Sequence, residues 1–338
     1  MTSYESAGVN LSAADELIDR IGWRVTSTWT DEVVGGFGGF AAGLQIPVGY
    51  EQPVLMLSTD GVGTKADLAR QAGLLEGLGY DLVAMVADDL AAAGAQPIAM
   101  SDYIAVGKLD VDMVETLVES ITEACSESDI ALLGGETAEH PGVMAPQQFD
   151  IAATALGIVE MGEEVDPELV TPGDIIIGVN SPNLRSNGFS LVRAIVAKGL
   201  PLDGTFPDTD TPTAHVLLNP SVVYSPAIVN MLARVKPHGL AHITGGGLPG
   251  NVIRVLPEGS RAVVERAKWE IPHVFKVLQH VGQVPAGDMY RTFNMGIGFV
   301  CVVAEEDVDA TLRAFETSDV PAGVIGHIAE GERGVEIR

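Results

Sequence analysis

The sequence predicts an α/β chain of two domains, and three observations carry that reading. Short apolar runs alternate with amphipathic helical stretches along both halves. Of 338 residues, 46% are hydrophobic and 39 are glycine, a composition of packed domains rather than of a disordered chain. An acidic, proline-bearing stretch at residues 161–173 interrupts the pattern, which then restarts. Domains are therefore expected at residues 1–165 and 166–338.

Taken in order, Ser12 with Asp15 three residues later resembles a capping box for a helix from Ala13 to Ile21, closed by Gly22. Residues 23–34 are polar and patternless. They run into Gly35-Gly-Phe-Gly-Gly-Phe-Ala-Ala-Gly43, where five glycines in nine residues make either a loop whose amides fold over phosphates or a flexible linker. Val54 to Leu57 reads as a strand stopped by Asp60-Gly61, which puts Asp60 at a strand's carboxyl end. Gly61 and Gly63 let the backbone approach a ligand, and Thr64 and Lys65 offer a hydroxyl and a point charge to phosphate oxygens. The plain alternative is a tight turn with a solvated lysine.

A helix over Asp67–Leu74 is followed by a second over Tyr80–Gly94, in which Asp88 and Asp89 interrupt an apolar face. Asp89 lies on or beside the buried side, and a buried charge must be paired or bound to metal. If both aspartates face solvent, the position means nothing. Ile98–Val106 reads as a strand, and Asp110–Glu127 as a helix with Cys125 on its core stripe. Ile130–Leu133 is a short strand ending in Gly134-Gly-Glu136-Thr137, and Phe149–Glu160 another strand.

After the break come a strand over Asp174–Val179, a helix over Phe189–Lys198 and a long helix from Pro220 to Val235. Leu240–Thr244 leads into Gly245-Gly-Gly-Leu-Pro-Gly250, a literal Gly-x-Gly-x-x-Gly. Pro257-Glu-Gly259 ends the following helix too early for a dinucleotide-binding unit, and three consecutive glycines suit phosphate equally well. Helices over Ile271–Val281 and Glu305–Thr317 and strands over Ile297–Val303 and Val324–Ile328 complete the second layer. His238 and His242 are expected to be structural, because no metalloprotease-type spacing accompanies them.

Forty-six acidic residues against 19 basic ones give a formal charge of −27, with six lysines in all. Nucleic acid and anionic membrane are poor partners for such a surface. Its self-repulsion is largely screened at molar salt, where the Debye length is about 3 Å, so a salt-rich cytoplasm is expected. The alternative is an ordinary acidic enzyme. Cys125 and Cys301 have no metal-type or disulfide-type spacing, which suits reduced thiols in a cytosol. Met1–Ser6, without a basic region or apolar stretch, is expected to hold no signal peptide, and Leu82–Met100, broken by Asp88, Asp89 and Pro97, is expected to be no membrane span.

Three carboxylates near glycine segments, Asp60, Asp89 and Glu136, suit Mg²⁺ on nucleotide phosphates. With no serine–histidine motif and no reactive cysteine, phosphoryl transfer by positioning and electrostatics is the economical chemistry.

Six segments together carry a family resemblance: Thr59-Asp-Gly-Val-Gly-Thr-Lys65, Asp89-Leu-Ala-Ala-Ala-Gly-Ala-Gln-Pro97, Gly134-Gly-Glu-Thr-Ala-Glu139, Ser186-Asn-Gly-Phe-Ser-Leu-Val-Arg193, His242-Ile-Thr-Gly-Gly-Gly247 and Met289-Tyr-Arg-Thr-Phe-Asn294. From about residue 4 to its end, the chain resembles the phosphoribosylformylglycinamidine cyclo-ligase (aminoimidazole ribonucleotide synthetase) family. The resemblance implies two α/β domains of mixed sheets with flanking helices, the amino-terminal ones pairing in a homodimer as a β-barrel. It implies ATP-dependent ring closure of formylglycinamidine ribonucleotide in purine synthesis. Asp60, Asp89 and Glu136 would hold Mg²⁺, and Lys65 would stabilise the transferring phosphoryl. Gly35, Gly36, Gly38, Gly39, Gly61, Gly63, Thr64 and Thr137 would bind ATP. Arg185, Ser186, Asn187, Thr244, Gly245 and Gly246 would face the substrate. The chain departs from the family's usual residues at Arg24, Thr26, Ser27 and Thr28, at His140, at Asp88 (usually Asn) and at Arg185 (usually His). A thiamine monophosphate kinase-like enzyme and a nucleotide-binding dimer without turnover are the alternatives.

Overall fold

Residues 10–338 are described by this computed structural model; Met1–Ser6, expected to hold no signal peptide, lie outside the described residues. The first helix, α1 (Leu11–Ser27), is capped by Asn10, whose side chain accepts from Ala13 N at 3.2 Å and from the Ser12 hydroxyl at 2.8 Å. An asparagine cap thus does the work expected of the Ser12 box. Gly22 does not end the helix. A Cβ there would stand 2.9 Å from the Phe37 ring, so the glycine admits the glycine-loop phenylalanine while the helix runs on.

The chain continues through β1 (Val33–Val34), β2 (Gly43–Leu44), β3 (Pro53–Gly61), α2 (Lys65–Ala72), α3 (Leu78–Ala92), β4 (Gln96–Val106), α4 (Val111–Glu127), β5 (Ala131–Glu139) and β6 (Phe149–Glu160). β1 and β2 flank the glycine loop as a small antiparallel ladder. The other four strands form one sheet in the order β3-β6-β4-β5, antiparallel except for β4 with β5. β3 outruns its expected end because β6 keeps pairing with it through Asp60 and Gly61. Alternation along β3 turns Val54, Met56, Ser58 and Asp60 towards the helices and Leu55, Leu57 and Thr59 to the open face.

α3 is the pillar of the molecule. Twelve of its fifteen residues are buried, as expected of a helix apolar on nearly every side. It packs on β3, β6 and α4 of the first half and on elements of the second. Gly79 permits the approach to α4: a Cβ there would lie 2.1 Å from the Ser120 carbonyl carbon, and its amide donates to Ser120 Oγ at 2.9 Å.

The second half runs β7 (Ile175–Asn180), α5 (Phe189–Gly199), α6 (Thr213–Leu217), α7 (Ser225–Leu232), β8 (Gly239–His242), α8 (Gly247–Val252), β9 (Ser260–Val264), α9 (His273–Gly282), α10 (Ala286–Thr292), β10 (Ile297–Val303), α11 (Val308–Thr317), β11 (Ala322–Glu330) and β12 (Gly334–Ile337). Its sheet has the order β12-β9-β11-β7-β10-β8, with β12 and β9 parallel and the remaining pairs antiparallel. β8 and β9 are not neighbours and α8 is six residues long, so no dinucleotide-binding unit exists around Gly245–Gly250. The expected helix from Pro220 begins only at Ser225, because residues 219–224 give their polar groups to Lys65 of α2 and to Asp81 and Asp88 of α3 instead.

Each sheet lies within one half, while the largest apolar cluster joins Leu82, Val86 and Ile121 to Phe189, Val192 and Phe275 across them. Among the described residues, no helix is long and apolar enough to cross a membrane.

Candidate active site

The seam between the halves gathers most of the expected site. Asp60 and Ser58 share the helix-covered face of β3, and Ser58 Oγ donates weakly to Asp89 Oδ2 at 3.4 Å. Asp89, the last acid of α3, has 44% of its side chain exposed and accepts from His242 Nδ1 at 2.8 Å. Burial pushes its carboxyl up, but the bond from His242 and the nearby charge of Arg254 outweigh it and hold it below the ordinary range. Asp60 Oδ1 accepts from the amide of Gly61 at 2.7 Å. Gly63 adopts φ +69° with nothing within 4 Å of a would-be Cβ, so backbone is bare to a ligand there. Thr64 Oγ1 stands 3.3 Å from Ser190 Oγ at the start of α5, and Asn187 Nδ2 lies 4.0 Å from a Cβ built on Gly245. The segments expected for nucleotide and for substrate therefore meet.

Two expected site residues lie behind that surface. Lys65 is fully buried, its ammonium 2.6 Å from Asp81 Oδ2 and 3.0 Å from the Asn219 carbonyl that it donates to. Burial pulls its pKa down and Asp81 opposes the fall. The lysine is thus spent on an internal pair and does not reach out to a phosphoryl group in this structure. Arg185, expected at the substrate, is 1% exposed, donates from Nη2 to Asp88 Oδ2 at 2.7 Å, and lies over the Tyr224 ring at 4.6 Å. Asp88 is fully buried and also accepts the amides of Tyr224 and Ser225, both at 2.8 Å, which caps α7. The two departures from the family's usual residues, Asp88 and Arg185, are therefore each other's partners.

The loop that holds Arg185 is strained and polar. Arg185 has φ +59°, unfavourable for a side-chain-bearing residue, and Asn183 Oδ1 fixes it by accepting the Arg185 amide at 3.1 Å. Asn294, from the Tyr290–Asn294 motif, braces the same loop by donating to the Asn183 carbonyl at 2.9 Å. Ser186 Oγ and Asn187 Oδ1 are buried without a hydrogen-bond partner, which is costly unless a ligand supplies one.

Glu136 does not join Asp60 and Asp89. β5 is separated from β3 by β6 and β4, about 14 Å at about 4.8 Å per strand. Glu136 pairs across the ladder with Tyr103, which is exposed, whereas Asp60 faces the helices. Among the described residues no group of three His, Cys, Asp or Glu side chains could hold one metal ion. Two hard carboxylates in the seam still fit Mg²⁺, which commonly takes one or two plus phosphate oxygens. Glu136 and Thr137 instead line a cavity of about 330 Å³ with Gly36, Gly38, Gly39 and Asp102, under α1. Gly35 is outside that lining. Asp102 went unread in the sequence: its carboxyl is pushed up by burial to about 7 and rests over Gly135, where a Cβ would be 2.1 Å from Oδ1.

The match of residues 38–159 to the AIR synthase related protein amino-terminal domain and of residues 171–337 to the corresponding carboxy-terminal domain covers most of the chain. A phosphoribosylformylglycinamidine cyclo-ligase of Carboxydothermus hydrogenoformans is 43% identical over 99% of this chain and 98% of its own length. Two solved structures share the fold at lower identity. The thiamine-monophosphate kinase of Stenotrophomonas maltophilia has a TM-score of 0.67 and 22% identity over 98% of this chain and 96% of its own. The hydrogenase maturation protein HypE, in complex with ATP, has a TM-score of 0.70 and 18% identity over 98% and 92%. By sequence along its whole length, with a site gathered at the seam its motifs share, the chain belongs to the AIR synthase family.

Proposed function

We propose that the chain is a ligase that cyclises formylglycinamidine ribonucleotide to 5-aminoimidazole ribonucleotide with ATP, releasing ADP and phosphate, as a step of purine biosynthesis. The convergence of Asp60, Asp89, Thr64, Ser190, Asn187 and Gly245 at one seam is the observation that supports it, together with the full-length likeness to a cyclo-ligase. A formyl oxygen is a poor leaving group and phosphate a good one, so ATP supplies the activation. The amidine nitrogen then bonds to the formyl carbon as the carbon–oxygen bond breaks, and the oxygen leaves in phosphate.

The residues of the seam divide that work. Asp60 and Asp89 would hold Mg²⁺ against the phosphate oxygens, and Gly61, Gly63 and Thr64 would seat them with backbone and hydroxyl donors. Ser186, Asn187, Thr244, Gly245 and Gly246 would orient the substrate, with the unpartnered Ser186 and Asn187 oxygens taking its polar groups. Residues 1–165 would then be the ATP-binding half and 166–338 the half that completes the site. A kinase of the thiamine monophosphate type shares the fold at 22% identity and explains the chain less well than a 43% identical cyclo-ligase. ADP release separates the two: it should require both Mg²⁺ and formylglycinamidine ribonucleotide. Equal release with thiamine monophosphate would overturn the reading.

A homodimer is proposed on the open face of the first sheet, where Leu57 is 71%, Leu55 50% and, two strands away, Tyr103 42% exposed. Closing that face against a second copy would make a barrel, and Glu136, on the same face, would act at this interface. Leu57→Glu should leave a monomer by sedimentation; an unchanged mass would place the interface elsewhere. Both cysteines are free and buried, which supports the reducing cytoplasm.

A further inference from the structure

We propose that Arg185 is a positioning residue that sets the hydrogen-bonding tautomer of His242 and thereby aims Asp89 into the seam. The inference rests on the reading of Asp89 as a metal-facing carboxylate. Four ionisable side chains form one continuous line: Asp88 Oδ2 to Arg185 Nη2 at 2.7 Å, Nη2 to His242 Nε2 at 3.0 Å, and His242 Nδ1 to Asp89 Oδ1 at 2.8 Å. A guanidinium has donors and no acceptor, so Nε2 of His242 must accept. The ring proton is then on Nδ1, where it is donated to Asp89 Oδ1. Asp89 Oδ2 keeps only the long contact to Ser58 and is left to face the seam.

Packing also holds the ring. His242 is 5% exposed and stacks on Phe299 with centroids 6.1 Å apart and planes 20° from parallel. Arg185 is fixed in turn by Asp88, by the Tyr224 ring and by its own strained backbone. Asp88 needs no contact with substrate to matter, because it anchors the donor that orders the ring.

The test begins with the unaltered, metal-free protein labelled with ¹⁵N in histidine, the His242 ring being assigned among the seven histidines by comparison with His242→Asn. The ring should carry its proton on Nδ1; a proton on Nε2 would overturn the proposal. The variant Asp88→Asn/Arg185→Met removes the donor without stranding a charge, and Arg185→Lys keeps a donor without an acceptor. Mn²⁺ is then titrated in the presence of a non-hydrolysable ATP analogue and followed by its electron paramagnetic resonance signal. Freed of the guanidinium, Nε2 in the double variant should carry a proton for part of the time, although the Asp89 carboxylate, an acceptor alone, still favours one on Nδ1, and Mn²⁺ should weaken by about tenfold or more, the usual cost of losing a group that orients a ligand. Arg185→Lys should restore most of both. An unchanged tautomer, or a changed tautomer with unchanged Mn²⁺ affinity, would overturn the role of Arg185. Failure of ring closure with both expected results in place would count against the proposed function alone.

Discussion

α3 carries two buried ion pairs seven residues apart, and they do different things. Asp81 takes Lys65 and both the amide and hydroxyl of Ser221, at 3.0 and 2.5 Å for the latter two, while Lys65 donates to Asn219; every partner is internal. Asp88 also seats the second half, through Tyr224 and Ser225, but its cation Arg185 passes on to His242 and so to the half-exposed Asp89. The first pair is a staple between the halves. The second is a staple with one end wired to the site. Composition and burial are alike in both, so only the onward hydrogen bonds tell a structural ion pair from a functional one.

The largest effect should lie beyond the open end of the second pair. Asp60→Asn, beside Asp89 on the seam, should lower turnover by about a hundredfold or more while leaving the melting temperature nearly unchanged, as expected where charge is stabilised in the transition state. An active Asp60→Asn enzyme would remove the residue from the chemistry. Lys65→Met should show the reverse profile. Stranding Asp81 in the core should cost about 3–5 kcal/mol, read in chemical unfolding, and Lys65→Met/Asp81→Asn should recover much of it. If Lys65→Met kept its stability and lost only turnover, the staple reading of the first pair would be broken.

Much of this arrangement was legible in the sequence, and the limits have physical causes. β6 and β10 fall at their expected residues because alternation or a continuous apolar run with clear flanks identifies a strand locally. Asp88 and Asp89 are neighbours about 100° apart on a helix, and local pattern marks both as unusual. Which one is buried depends on residues 219–225, whose amides arrive from another part of the chain. Lys65 resembles a phosphate-binding lysine because its glycine loop is in view and its partner, sixteen residues on, is not. Glu136 stands apart from Asp60 and Asp89 for another reason: β5 runs on past Gly134, and the extra residue at Leu133, where its register with β4 shifts, turns the acid to the open face. β9 and β12 are short and were missed, being strands only through their pairing with β11 and with each other.

A smaller, pH-dependent effect contrasts an unpaired acid with both pairs. Asp102 has a folded value near 7 against an ordinary 3.8, so between these pH values the folded chain holds a proton that the unfolded chain has released. Its contribution to stability is lost as pH rises through that window. Asp102→Asn should therefore melt higher than the parent at pH 8 and lose that advantage near pH 4; a difference independent of pH would show that Asp102 is ionised throughout.

The smallest effect per group belongs to the surface. With a formal charge of −27, stability should rise from 0.1 M to 1 M KCl as the Debye length falls from about 10 Å to about 3 Å, and sucrose should not reproduce the rise. The penalty of Lys65→Met should be the same at both salt levels, because the buried pair is out of reach of screening ions. A melting curve insensitive to KCl would show that the acidic surface is no salt adaptation.

The central claim, that the seam activates a formyl oxygen with ATP and closes a ring, is tested most directly by following that oxygen. Formylglycinamidine ribonucleotide labelled with ¹⁸O in the formyl group should give one ¹⁸O atom in the phosphate released per ring closed. Label recovered in water, with unlabelled phosphate, would mean that ATP is hydrolysed without activating the formyl oxygen and would contradict the account.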